Sequence, residues 1–175
     1  MDFEARRRLY LDRIETGLDA ALAGWRAGAE APETRVEDAA AYALLGGGKR
    51  LRAMLALAAG EVCGLEAARA ERLAIAVETL HAYSLVHDDL PAMDDAETRR
   101  GQPSVHRQFD EATAILAGDQ LLTYALGHLG DEPTALRALS RAAAQMVRGQ
   151  MLDLLSESDA VSLDLPALER LQAQK

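Results

Sequence analysis

Apolar residues recur at spacings of three and four along most of the chain, and Gly or Pro interrupts the pattern between segments. This period is typical of amphipathic α-helices. The pattern predicts helical segments with the approximate bounds Phe3–Trp25, Thr34–Leu45, Lys49–Cys63, Glu66–Leu90, Asp110–Gly127, Pro133–Leu155 and Leu165–Lys175. The fourth segment is long and apolar on most sides, so we expect it to be the central helix.

The composition agrees with a helical fold. More than a third of the residues are Ala or Leu, whereas aromatic residues make up only 4%. Ala and Leu are strong helix formers, and the β-branched and aromatic residues that favour strands are few. We therefore predict an all-α fold. The chain shows neither a low-complexity tract nor an interdomain linker, so residues 1–175 are expected to form a single domain.

The net charge, the apolar runs and the N-terminus exclude several classes of protein. The net charge of -9 gives a surface that repels nucleic-acid phosphates, so nucleic-acid binding is not expected. Charged or Gly-rich segments interrupt every apolar run, so a transmembrane span is not expected either. Cys63 is the single cysteine, and the charged N-terminus differs from a signal peptide. We therefore expect a cytoplasmic protein.

Four carboxylates lie at the C-terminal end of the fourth helix, in the segment HDDLPAMDD, residues 87–95. A helix C-terminus carries partial negative charge, so carboxylates clustered there need a cation. Pro91 cannot donate a backbone hydrogen bond, so the helix must kink or end, which lets Asp88 and Asp94 converge. Such oxygen ligands suit Mg²⁺, which shares its coordination shell with water and substrate phosphates. The alternative interpretation is a solvated acidic loop.

Two groups of cations stand out in this acidic chain. Gly47-Gly48 precede Lys49 and Arg52 at the predicted start of the third helix, and Arg99-Arg100 follow the acidic segment. Glycines followed by cations at a helix start form an anion site. Residues three apart on a helix share one face, so Lys49 and Arg52 could hold one phosphate group together. The alternative interpretation is a helix C-cap followed by surface cations.

Five ordered motifs together resemble one known family. They are GGKRLR at 47–52, HAYSLVHDDLPAMDD at 81–95, RRGQP at 99–103, ILAGD at 115–119 and GQMLDL at 149–154. In this order they resemble the short-chain trans-prenyl diphosphate synthases, most closely the bacterial farnesyl diphosphate synthase type. The resemblance implies a helical bundle of the isoprenoid synthase type.

The resemblance also implies roles for individual residues. Asp88 and Asp94 would hold Mg²⁺ against the diphosphate of an allylic substrate, with Asp89 a weaker candidate, and Arg99 would bind the same diphosphate. Isopentenyl diphosphate would be bound by side chains that can donate hydrogen bonds to phosphate, His81 most strongly when protonated. These are Lys49, Arg52, His81 and Arg100. The enzyme would join the two substrates to give farnesyl diphosphate and pyrophosphate.

Product length is expected to depend on Tyr83. It lies five residues before Asp88, about 7.5 Å back along a helix, so its ring could obstruct an elongating tail. With an aromatic residue at this position, the chain resembles the farnesyl-producing members of the family. The alternatives within the family are geranylgeranyl and geranyl diphosphate synthases, and Tyr83 could also be an ordinary core aromatic.

Family members are longer and carry a second aspartate-rich motif, which nothing after Asp164 supplies. We therefore expect the chain to be the N-terminal part of a longer synthase, with the 175 residues alone nearly inactive. The resemblance also implies a homodimer. Two other functions stay open: a non-catalytic partner subunit, and a helical metal-dependent phosphohydrolase using His81, His87, Asp88 and Asp119.

Overall fold

The computed structural model describes residues 2–27, 30–31, 34–158 and 162–174. They are mostly helical and group into two compact units, Met1–Asp131 and Glu132–Lys175. The all-α prediction is confirmed, whereas the single domain stays a prediction. Within the described residues, no helix has both the length and the apolar composition that a bilayer span requires.

The first unit consists of helices and one short hairpin. Its helices are α1 (Phe3–Arg26), α2 (Thr34–Leu45), α3 (Leu51–Val62), α4 (Ala67–Asp88), α5 (Val105–Gln108) and α6 (Glu111–Gly127). The hairpin pairs β1 (Thr98–Arg99) with β2 (Gln102–Pro103) in antiparallel register. Both residues of the turn between the strands have positive φ, as a two-residue turn of type I′ requires.

Polar caps and a glycine fix several helix ends. The Asp2 side chain accepts from the amide of Ala5 at 2.8 Å and so caps α1. Glu66 caps α4, and Asp110 caps α6. Gly64, at φ +68, follows α3 in the left-handed conformation that ends many helices.

Helix α4 is the centre of the first unit, as its apolar sequence predicted. It contacts α3 on one side and α6 on the other, and it buries residues around most of its circumference. Small residues let the helices approach closely: a Cβ added at Gly60 of α3 would lie 2.8 Å from that of Ala70. Because the core side chains pack against α4, residues at its C-terminal end are held on a rigid element.

The second unit contains α7 (Pro133–Glu157) and α8 (Leu165–Gln174), which contact each other. Pro133 occupies the first turn of α7, where its missing amide leaves no helical hydrogen bond unmade. The side chain of Asp164 accepts from the amide of Ala167 and caps α8. Lys175, the predicted last residue of this helix, lies outside the described residues.

Two helix ends near the acidic and basic segments differ from the prediction. Helix α3 begins at Leu51 and not at Lys49, because Arg50 before it adopts a left-handed conformation with φ 50°. Lys49 therefore lies in the preceding loop, and the argument that it shares a helical face with Arg52 was wrong. Helix α4 ends at Asp88, two residues before the predicted Leu90, because Pro91 cannot continue the hydrogen-bond pattern.

Candidate active site

The acidic loop folds back onto the end of α4. The backbone amide of Asp94 donates to the carbonyl of Asp88 at 3.0 Å, and the amide of Asp95 donates to the carbonyl of Leu90 at 3.1 Å. Asp88 is half-buried and Asp94 is exposed. The turn that begins at Pro91 thus brings the two carboxylate-bearing residues together, as the sequence predicted.

Asp89 has a different role from its neighbours. Its side chain is only 4% exposed and accepts from Nε of Arg99 at 2.9 and 3.0 Å, with a further hydrogen bond from Nη2. The hydrogen bonds to Asp89 raise the pKa of Arg99, and the charges of Asp88 and Asp94 act in the same direction. Arg99 is therefore fixed beside the carboxylates predicted to hold Mg²⁺.

Arg100 covers the glycine loop that precedes α3. Its Nη1 donates to the carbonyl of Gly47. A Cβ added at Gly48 would lie 2.7 to 2.9 Å from the guanidinium atoms, and Gly48 has a φ of +133°. Only glycine satisfies both conditions without strain, so the glycine pair allows Arg100 to lie directly on the loop that carries Lys49.

His81 lies among the cations in its neutral form. Nε2 of its ring is 3.3 Å from Nη1 of Arg52, so it accepts the hydrogen bond and Nδ1 carries the ring proton. Burial and the positive charges of Arg52, Arg100, Arg99 and Arg50 lower the pKa of His81 to about 4. The expectation that His81 binds best when protonated therefore does not describe the free protein at neutral pH. The side chains of Lys49 and Arg52 are both exposed to solvent.

The opposite side of α4 packs against α6. Tyr83 is buried, and its ring meets the ring of His87 edge-on with centroids 5.0 Å apart. Nε2 of His87 donates to the carbonyl of Ile115 at 3.0 Å, and the absence of a Cβ at Gly118 makes room for the imidazole. Tyr83 is thus one turn behind His87 in the wall that α4 and α6 share.

Two functional candidates were missed by sequence reasoning, Arg50 and Glu78. Both side chains are buried, and they form an ion pair beneath the cations described above. The signal for Glu78 was available, since it is a single acidic residue within the apolar stretch LAIAVETL of α4. Nothing in the GGKRLR motif indicates that its second cation turns inward while the first and third stay exposed.

The carboxylates fit the predicted magnesium ion. Across the described ranges, no three His, Cys, Asp or Glu side chains are grouped so as to hold a metal ion by themselves. Mg²⁺ often uses one or two carboxylates and completes its octahedral shell with water and phosphate oxygens. Asp88 and Asp94 would supply the two carboxylates, and Arg99 beside them would contact a phosphate.

In contrast, the metal ligands that a phosphohydrolase would need do not lie together. His81 faces Arg52 on α3, whereas His87 faces Ile115 on α6 and lies 3.9 Å from Asp119. An imidazole-rich metal centre requires these side chains to converge on one ion. In the part of the molecule that the structure describes, they do not.

Comparison with known proteins supports the resemblance seen in the motifs. The chain is 44% identical over 163 residues to farnesyl diphosphate synthase from Haemophilus influenzae, with 87% of the chain and 55% of the relative covered. It is 42% identical over 149 residues to geranylgeranyl pyrophosphate synthase 11, chloroplastic, of Arabidopsis thaliana, covering 78% and 41%. The crystal structure of geranyltranstransferase from Thermotoga maritima superimposes with a TM-score of 0.86 at 31% identity, covering 94% and 61%.

The chain spans about half the length of the curated relatives it matches. The polyprenyl synthetase family model matches residues 33–175, which include all five motifs. The helical architecture agrees with that of the solved isoprenoid synthases. The chain therefore belongs to the polyprenyl synthetase family.

Proposed function

We propose that the protein is a trans-prenyltransferase that joins isopentenyl diphosphate to dimethylallyl or geranyl diphosphate and releases pyrophosphate, with farnesyl diphosphate as its product. One observation carries the proposal. The C-terminal half of α4 has a carboxylate pair with Arg99 at its end, and a group of cations around His81 two turns earlier. Two diphosphate groups, one bound through metal and one bound directly, match these two surfaces.

The allylic diphosphate is assigned to the acidic end. Asp88 and Asp94 would hold Mg²⁺, which when bound neutralises charge on the diphosphate and favours its departure. Arg99, oriented by Asp89, donates to the same diphosphate from the side of α4 that faces the hairpin. The fixed guanidinium stabilises negative charge that grows as the carbon–oxygen bond breaks.

Isopentenyl diphosphate is assigned to the cationic surface. Arg52 contacts His81, the charges of Arg52 and Arg100 both act on His81, and Lys49 is exposed in the loop that Arg100 contacts. Neutral His81 can donate from Nδ1. A bound anion also favours its protonated form, so binding is expected to raise the pKa of His81.

The reaction needs no nucleophilic side chain. The allylic carbon–oxygen bond breaks, the double bond of isopentenyl diphosphate supplies the electron pair for the new carbon–carbon bond, and a proton leaves the adjacent carbon. The released pyrophosphate is the proposed base. The protein orients the two substrates and excludes water, which would otherwise capture the allylic cation.

The product is proposed to contain fifteen carbons because Tyr83 closes the space behind Asp88. Its ring is buried and braced by His87, so it cannot turn aside without disturbing α6. Relatives named for farnesyl and for geranylgeranyl products match the chain at similar identity. A geranylgeranyl or a geranyl product is therefore the alternative within the family.

Three further expectations stay predictions: the homodimer, the cytoplasmic compartment and the second aspartate-rich motif. A non-catalytic partner subunit is the other alternative. The acidic motif and the cationic motifs are both intact, which favours the enzyme. An activity assay of the protein without any added synthase separates the two.

The decisive experiment incubates full-length protein with labelled isopentenyl diphosphate, geranyl diphosphate and Mg²⁺. The extracted product is treated with phosphatase, and the alcohol is identified. Farnesol is expected, and Asp88→Asn should decrease the rate by about 100-fold or more. Asp19→Asn, an exposed carboxylate of α1, is the matched control and should leave the rate unchanged. Absence of any prenyl alcohol from the wild-type sample would contradict the proposal.

A further inference from the structure

Arg50 is buried although the cations beside it in the sequence are exposed. Its side chain is 1% exposed, whereas Lys49 before it and Arg52 after it face solvent. Its backbone has a φ of 50°, a left-handed conformation that non-glycine residues disfavour. Tertiary contacts of this side chain must therefore hold the backbone at the point where the glycine loop enters α3.

Those contacts connect Arg50 to two other helices. Its Nε and Nη2 donate to the carboxylate of Glu15 on α1, at 2.7 and 3.3 Å. Its Nη1 donates to Oε1 of Glu78 on α4 at 3.3 Å. The planar guanidinium is suited to bridging two carboxylates in fixed directions, which an ammonium group is not.

Glu78 lies directly behind the cationic surface. It is 3% exposed and precedes His81 by three residues, which places it one helical turn away on the same side of α4. Burial and the charge of Arg50 lower the pKa of Arg100, and the charge of Glu78 opposes that shift. Its second oxygen, Oε2, is buried and has no hydrogen-bond partner among the residues that the structure describes.

We propose that the Arg50–Glu78 pair is a positioning device for the diphosphate site and not part of the binding surface. Arg50 fixes the loop carrying Lys49 and the first turn carrying Arg52, and Glu78 fixes that point relative to His81. The ion pair thus sets the distance between the cations of the loop and those of α4. This inference rests on the proposed function, since it assumes that these cations bind diphosphate.

The test removes the pair without changing the net charge. Arg50→Met and Glu78→Met are combined in the full chain, because replacing both members of a buried ion pair by apolar residues commonly preserves the fold, and Glu15, the other partner of Arg50, is 46% exposed and stays hydrated. Calorimetry measures inorganic pyrophosphate binding without Mg²⁺, so that only the cationic surface contributes. We expect the Kd to rise by about tenfold or more, as when residues that orient ligands are lost. In the full-length enzyme the KM for isopentenyl diphosphate should rise, with little change in that for the allylic substrate.

The matched control is Arg13→Met combined with Glu71→Met, which likewise removes an ion pair to α4 but one that joins α1 to α4 and lies away from the cations. It should bind pyrophosphate like wild type. A second variant, Arg50→Lys, keeps the charge but cannot bridge both carboxylates, and should weaken binding several-fold.

The possible results separate the two proposals. If wild type binds pyrophosphate and both Arg50 variants bind it equally well, the positioning role is wrong, even if their melting temperatures fall. If wild type itself does not bind pyrophosphate, the proposed diphosphate site is wrong, and the positioning role falls with it. Weaker binding by the Arg50 variants alone supports both.

Discussion

Gly118 allows the contact between α4 and α6 that fixes the residue before Asp88. An alanine there would place its Cβ within the space of the His87 imidazole. The ring is held by the carbonyl of Ile115 at 3.0 Å and by the edge of Tyr83. Gly118→Ala therefore forces His87 to move, and the end of α4 moves with it.

The size of the effect follows from three contributions. Alanine is favoured over glycine within a helix by about 1 kcal/mol. Overpacking a buried contact destabilises by about 2 kcal/mol, and losing the His87 hydrogen bond removes about 1 kcal/mol more. The net destabilisation is about 2 kcal/mol, which corresponds to a decrease in Tm of roughly 4–8 °C for a chain of this size.

The assay is thermal unfolding of Gly118→Ala beside Gly127→Ala. The second glycine lies at the end of the same helix with nothing within 4 Å of the added Cβ, so this control should be as stable as wild type or slightly more so. The magnesium concentration for half-maximal activity should rise for Gly118→Ala alone, because His87 precedes Asp88. If both variants melted at the same temperature, the packing argument would be refuted.

Three other predictions concern the product-length role of Tyr83, the pKa of His81 and the glycine loop at Gly48. Tyr83→Ala should lengthen the product beyond fifteen carbons, as measured by chromatography of the released alcohols. An NMR titration should place the pKa of His81 near 4, and Arg52→Ala should raise it by removing a positive charge, while burial still holds it below 6.5. Gly48→Ala should weaken pyrophosphate binding without Mg²⁺ by about tenfold, because the Cβ displaces Arg100.

Each of these changes has a control of the same chemical kind. Tyr124→Ala removes an aromatic ring of α6 that stacks on Trp25, and the product length should stay the same. Arg35→Ala removes a cation paired with Asp110, and the pKa of His81 should not change. Gly24→Ala adds a Cβ in open space on α1 and should not affect pyrophosphate binding. Equal effects of a test variant and its control would contradict the corresponding assignment.

The fold was largely predictable because the helical signal is local and repeated. The bounds of α2 were predicted without error, and the other long helices within a few residues, because their apolar positions recur over several turns. The hairpin of β1 and β2 was expected only as an irregular connection. Strands of two residues have too few positions to show an alternating pattern, so the turn geometry was not foreseen.

The site was predictable where a chemical property belongs to one residue and not where it depends on packing. The convergence of Asp88 and Asp94 follows from the missing amide of Pro91 and was foreseen. The burial of Arg50 and the pairing of Asp89 depend on which side chains of other segments the fold brings against them. The spacing of a motif does not show which side chains pack together. The neutral state of His81 also depends on packing, because burial and the neighbouring Arg side chains cause it.

The spacing of the two proposed diphosphate sites along α4 would let one helix bind two anions. His81 and Asp88 are seven residues apart, which is roughly 10 Å along the axis and nearly the same side of the helix. Diphosphates at that separation lie about one Debye length apart at physiological salt, so solvent weakens their repulsion. Arg99 and Arg100 follow the acidic loop, and the charges of both act on His81. Their positive charges lower the remaining repulsion, and the second anion itself favours protonation of the His81 imidazole, which adds one more positive charge between the two diphosphates.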